Sequence, residues 1–62
     1  MQLTAEERER FAAWLEAEAE SDDGLAEQLD EMDHPFAGEW RASAAAKRRV
    51  ARILRATESV DL

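Results

Sequence analysis

Asp33-His34-Pro35-Phe36-Ala37-Gly38, residues 33–38, decides the fold, because it is the clearest place where the chain must stop being helical. Proline pushes the residue before it, His34, out of the α region and cannot donate to a helical ladder, and Gly38 gives the turn freedom. Both flanks read as helix. The pattern predicts a first helix over about residues 4–33, a turn over 34–38 and a second helix over about 39–59, folded as an antiparallel hairpin in one all-α domain, 1–62. Neither strand signals nor an internal repeat stand out.

Upstream of the turn, Thr4-Ala5-Glu6-Glu7 fits a capping box, so the first helix should begin there. Phe11, Leu15, Glu18, Asp22, Leu25, Leu29, Met32 and Phe36 then alternate in steps of four and three, the spacing that holds one seam against a partner helix. This seam is apolar at both ends and acidic in its middle. Ser21-Asp22-Asp23-Gly24 doubles as an N-cap followed by a weak helix former, which would break or kink the helix. The stripe keeps its phase across that point, which favours one long or gently kinked helix. Downstream, Ser43, Lys47, Val50, Leu54 and Thr57 form a second seam, widened by Ala46 and Ile53. The segment Ala42-Ser43-Ala44-Ala45-Ala46 is almost free of bulk and lets another helix approach closely.

At 62 residues the chain is below the size at which one core supplies more than about 3–5 kcal/mol, so a staple is expected. Cysteine is absent and His34 is the sole histidine, which removes disulfides and thiolate or imidazole metal sets. Self-association remains, and the expected form is a homodimer, two hairpins making a four-helix bundle. The N-terminus begins with acids rather than a leader pattern, and no apolar run has membrane-spanning length. The expectation is a cytoplasmic protein with no membrane contact.

The formal charge of −7 is unevenly spread. Residues 1–40 carry thirteen acids against Arg8 and Arg10, whereas residues 41–62 carry six bases against Glu58 and Asp61. Each arm alone is a poor helix by charge; folded together, opposite charges meet. Equal rise about the turn pairs residues whose numbers add to about 73. That register puts Glu18 near Arg55, Asp22 near Arg52 or Arg48, Leu29 near Ala44, and Phe11 close to Val60 and Leu62. The expected polar layer is Glu18 and Asp22 with Arg52 and Arg55, fixing register more than adding stability.

No constellation carries catalysis. The serines lack a suitably placed base and an oxyanion loop, the carboxylates lack a pocket, and no cofactor signature is present, so no enzyme activity, cofactor or metal is expected. Asp30-Glu31-Met32-Asp33-His34 has potential ligands without calcium-loop or zinc spacing. The function expected is binding and modulating a protein partner. Trp14 and Trp40, with Phe11 and the acids Glu16, Glu20, Asp23, Glu27 and Glu31, make the candidate interface. The alternative is a nucleic-acid-binding regulator using Lys47, Arg48, Arg49, Arg52 and Arg55 against phosphates. A further alternative is a DNA mimic that presents the acids of the first helix.

Thr4-x-Glu6-Glu7-Arg8 running into Phe11-Ala12-x-Trp14-Leu15-Glu16, then Leu25-Ala26-Glu27-Gln28 and Val50-Ala51-x-Ile53-Leu54-Arg55, resembles small uncharacterised helical proteins of high-GC, actinobacterial-type bacteriophages. The resemblance implies a host-takeover or anti-defence role, exercised in the cytoplasm of a bacterial host by binding a host factor. It assigns a role to no individual residue.

Overall fold

The computed structural model describes residues 2–57 and the backbone of residues 60–61. Two helices, α1 (Ala5–Glu31) and α2 (Ala37–Ala56), pack as an antiparallel hairpin, and two short strands, β1 (Gln2–Leu3) and β2 (Val60–Asp61), join its ends. Thr4 caps α1 as expected. Its hydroxyl accepts from the Glu7 amide at 3.1 Å, and the Glu7 carboxylate accepts from the Thr4 amide at 2.9 Å.

α1 runs unbroken through Ser21-Asp22-Asp23-Gly24. Ala19 and Ala26, fully buried on either side, hold the helix phase across it. A Cβ built on Gly24 would meet nothing within 4 Å. Gly24→Ala is therefore expected to raise stability by about 1 kcal/mol, from helix propensity alone, measurable as a higher denaturation midpoint.

The turn works differently from the expectation. Gly38 lies inside α2, and the left-handed residue is Asp33, with φ 53°. The Asp33 amide donates to the Asp30 carbonyl at 3.0 Å and the His34 amide to the Leu29 carbonyl at 2.8 Å, a Schellman closure that satisfies two of the last carbonyls of α1. His34 then accepts at Nδ1 from the Phe36 amide at 3.2 Å, which shapes the entry to α2. As a result α2 starts at Ala37, two residues before the expected start, with the Pro35–Phe36 step outside both helices. It ends at Ala56, before residue 59, where Thr57 turns extended and its hydroxyl donates to the Ile53 carbonyl. Ser59, Leu62 and the Val60 side chain, with the expected Phe11 contact to them, lie outside the described residues.

The seam is drawn by alanine. α1 buries Ala12, Leu15, Ala19, Asp22 and Ala26; α2 buries Ala37, Ala44, Ala51 and Leu54. Each helix thus repeats alanine every seven residues, an internal repeat that the search for bulky residues passes over. The strand pairs Gln2↔Asp61 and Leu3↔Val60 set a register in which partner numbers add to 63. Ala12 and Ala51, Ala19 and Ala44, and Ala26 and Ala37 obey the same sum. The expected sum of about 73 fails because the connection over residues 32–36 doubles back along α1, so that α2 begins level with Ala26 rather than beyond Glu31. The side-chain contacts between the helices, Glu9 with Arg55, Asp22 with Ser43 and Lys47, and Asp23 with Arg48, have sums from 64 to 71, below that expected for Leu29 with Ala44.

Of the expected first seam, Leu15 and Asp22 are buried and Leu29 is half-buried, whereas Phe11 and Leu25 stand one position off it and are exposed. In α2, Leu54 is buried, but Val50, Ala46 and Ile53 are exposed. Alanine at every seventh position takes the interior because its small side chain lets the two backbones approach. Leu15 and Leu54 close the core at the open end, where Leu3 of β1 packs on them. The strand pair, absent from the expectation, is a consequence of that register: the termini arrive side by side and their backbone groups pair.

Candidate functional site

An alanine seam has two flanks, and in an antiparallel pair the same heptad position of both helices falls on the same flank. Four residues after each alanine, α1 has Glu16, Asp23 and Asp30, and α2 has Arg41, Arg48 and Arg55. These meet one another in order. Arg41 pairs with Asp30, Arg48 with Asp23 at 2.6 Å, and Arg55 with Glu16 at 2.6 Å. Arg55 also takes Glu9, seven residues before Glu16, through Nε and an Nη at 2.9 and 2.8 Å. One side of the hairpin is thus a ladder of ion pairs at seven-residue intervals. Solvent screens it, and its main effect is to forbid other registers.

The opposite flank begins one residue before each alanine, with Phe11, Glu18 and Leu25 on α1 and Phe36, Ser43 and Val50 on or at the start of α2. Its middle is polar. Asp22, 4% exposed, accepts from Ser43 Oγ and Lys47 Nζ, both at 2.8 Å, while Glu18 lies 3.9 Å from Lys47. The polar layer therefore contains Glu18 and Asp22 as expected, but its cation is Lys47. Arg55 belongs to the ladder on the other flank, and Arg52 is exposed with no ion pair among the described residues. The shifted register is the reason, since it brings residues 43–47 rather than 52–55 level with Asp22.

All eight large hydrophobic side chains exposed in the described chain collect on or beside this flank, at its two ends: Phe11, Trp14, Val50 and Ile53 at the open end, Leu25, Met32, Phe36 and Trp40 at the turn. Phe11 and Trp14 touch ring to ring, with centroids 6.1 Å apart and planes tilted by 51°. The hairpin is thus ionic on one side and apolar–polar–apolar on the other. The exposed apolar surface is thus two patches on one side, separated by the polar layer.

The expected partner set does not form one patch. Phe11, Trp14 and Trp40 lie on the apolar side, Glu16 and Asp23 are taken up in the ladder, and Glu20, Glu27 and Glu31 project from the outer flank of α1, unpaired among the described residues. Of the candidate phosphate contacts, Lys47, Arg48 and Arg55 are held by α1 acids, leaving Arg49 and Arg52. Within the described residues there is no pocket and no group of three metal-ligating side chains; Asp30 of the acidic helix end is paired to Arg41.

The ion pairs shift the acids that make them. Hydrogen bonds from Lys47 and then Ser43 hold the Asp22 carboxyl below its usual range, Arg55 does the same to Glu9, and the Thr4 cap does it to Glu7. The Arg55 guanidinium, held first by Glu9 and then by Glu16, is raised and stays charged. A carboxyl with a lowered folded pKa stabilises the fold fully above its unfolded value, and that stabilisation is lost as pH falls through the folded value. The melting temperature is therefore expected to hold from neutrality to about pH 5 and to fall progressively below about pH 4. Asp22→Asn should flatten part of that fall, and an unchanged profile would mean that Asp22 is not a source.

Compared with family models, curated proteins and solved structures, the chain has no match.

Proposed function

We propose that the protein is a non-enzymatic interaction protein that works as a homodimer, two hairpins closing into a four-helix bundle, and that it modulates a protein partner as a regulator, adaptor or inhibitor. The observation that carries this is the gathering of the large hydrophobic side chains exposed among the described residues on or beside one flank while the other flank is ionic. Size supports it. Among the described residues, six of the eight buried hydrophobics are alanine and no large side chain is fully buried, so the hairpin alone has a thin core. Its accessible surface of 4545 Å² exceeds the roughly 4,000 Å² of a compact monomer of this mass.

Once the apolar side is covered, the surface left for a partner is the outer flank of α1, where Glu20, Glu27 and Glu31 have no ion pair among the described residues. That surface suits a basic patch on a host factor, in keeping with a host-takeover or anti-defence role. The same acids serve the DNA-mimic alternative, although Glu16, Asp23 and Asp30 are neutralised by arginine. Nucleic-acid binding rests on Arg49 and Arg52 and is the weaker alternative; a gel shift at low salt that Arg49→Ala with Arg52→Ala abolishes would restore it.

Light scattering on the eluting chain tests the proposal. A mass twice the 7.0 kDa of the chain is expected at micromolar concentration, and a monomer at all accessible concentrations would refute it.

A further inference from the structure

The polar layer divides its open charges between the two helices, and its own contacts fix where they stand. Glu18 on α1 lies 3.9 Å from Lys47 on α2, too far for a hydrogen bond, and the two side chains stay 43% and 27% exposed. Asp22, between them, is buried and already satisfied by Ser43 and Lys47. Asp22 takes one of the three donors of the Lys47 ammonium, which leaves donors for a second carboxylate. An under-paired acid on α1 and an accessible cation on α2 therefore share one level of the hairpin. Above and below that level the flank is apolar, with Phe11 and Trp14 on α1 and Val50 and Ile53 on α2 at the open end, and Leu25 on α1 and Trp40 on α2 toward the turn.

We infer that a second copy of this chain docks on this side open end to open end, Glu18 of each copy meeting Lys47 of the other, a geometry that rests on the homodimer proposed above. Two hairpins aligned face to face are related by a two-fold axis in the contact plane, either along the hairpin or across it. An axis along the hairpin keeps every residue at its own level and lays α1 of one copy over α2 of the other. Polar layer then falls on polar layer, and Glu18 meets the partner's Lys47 twice, by symmetry.

An axis across the hairpin lays α1 on α1, α2 on α2, and reverses the ends. Passed through the polar layer, it sets Glu18 against the partner's Glu18 and Lys47 against the partner's Lys47, like-charge contacts that select against it. Passed anywhere else, it presses the charged layer onto apolar side chains and strips its hydration without return. Only the axis along the hairpin avoids both costs. It also sets Phe11 and Trp14 against the partner's Val50 and Ile53, apolar on apolar at the same level.

Cross-linking at the level of the layer decides the orientation, and the chain has no native cysteine to interfere. Ser21, seven residues after Trp14, and Ala46, seven before Ile53, are exposed on this flank at that level. Ser21→Cys and Ala46→Cys are made singly, and one of the two chains carries a size tag. After mixing at equal concentration and treatment with a short bismaleimide, the pair should give a covalent heterodimer, while each variant alone should give little product. Efficient self-linking of each variant alone, or no product from chains that light scattering shows to be dimers, overturns the open-end-to-open-end geometry and leaves the homodimer standing. Monomeric mass for the wild-type chain overturns both. Glu18→Lys tests the charge contact itself. Lysine set against the partner's Lys47 should weaken the dimer at least about tenfold on dilution in light scattering, whereas reversed ends only exchange one like pair for another. An unchanged dissociation constant overturns the contact.

Discussion

Ala44→Leu is expected to be the most damaging single substitution on the inter-helix face. Ala44 is fully buried at the centre of the alanine seam of α2, as Ala19 is at the centre of that of α1. Three further carbon atoms there must push the helices apart or twist the side chain out of its rotamer, at a cost of about 1–3 kcal/mol or more. A chain of this size has about 3–5 kcal/mol from its own core to lose. Separating the helices also lengthens the flanking ion pairs of Arg41 and Arg48, so the damage spreads along the ladder. Denaturant unfolding followed by circular dichroism should show a large fall in midpoint or no cooperative transition. Ala45→Leu, one residue away and exposed, is the control and should change stability by less than about 0.5 kcal/mol. Equal effects at the two positions would mean that the helices do not pack through alanine.

The second large effect is expected from Leu25→Glu combined with Val50→Glu. In an isolated hairpin these residues are 37% and 44% exposed, and added charge there would be nearly neutral. In the proposed homodimer they lie at the two ends of the covered face, so each copy would drive two unpaired carboxylates into apolar contact, each costing several kcal/mol. The variant should run as a monomer in light scattering, and, deprived of the second copy, it should melt at least about 10 °C lower. A variant that keeps the wild-type mass and melting temperature would mean that this side is free surface.

Much of the fold is written plainly in the sequence. Proline after His34 stops α1, the Thr4–Glu7 box starts it, and the unbroken phase of the stripe carries it through Gly24. The division of charge into an acidic and a basic arm also predicts arms that pair, as Asp23 with Arg48 and Asp30 with Arg41 do. Register was the harder quantity. It depends on how far the connection doubles back, and that follows from Asp33 taking the left-handed conformation, which aspartate tolerates better than most non-glycine residues and which the Schellman hydrogen bonds hold. The lower register sum then exchanges the cation beside Asp22 from arginine to Lys47.

The seam was misplaced for a different reason. Looking for bulk selects Phe11 and Leu25, yet a hairpin of two helices buries most completely whatever allows closest approach, and the larger side chains beside the seam stay uncovered. The signal was present as alanine followed four residues later by an acid at residues 12, 19 and 26, and by arginine at residues 37, 44 and 51. With the alanines inside, Phe11, Trp14, Leu25 and Val50 become an outer layer in need of cover. The candidate partner set was only partly legible for the same reason: its aromatic members belong to that layer, whereas Glu16 and Asp23 belong to the ladder.

Thermal unfolding of the wild-type chain, followed by circular dichroism over about a hundredfold range of protein concentration, tests the second copy most directly. If the dimer is part of the fold, mass action adds about 2.7 kcal/mol across that range and the melting temperature should climb by roughly 10 °C. A melting temperature independent of concentration, with a monomeric mass throughout, would show that the hairpin is stable alone and that its apolar side is not closed by a second copy.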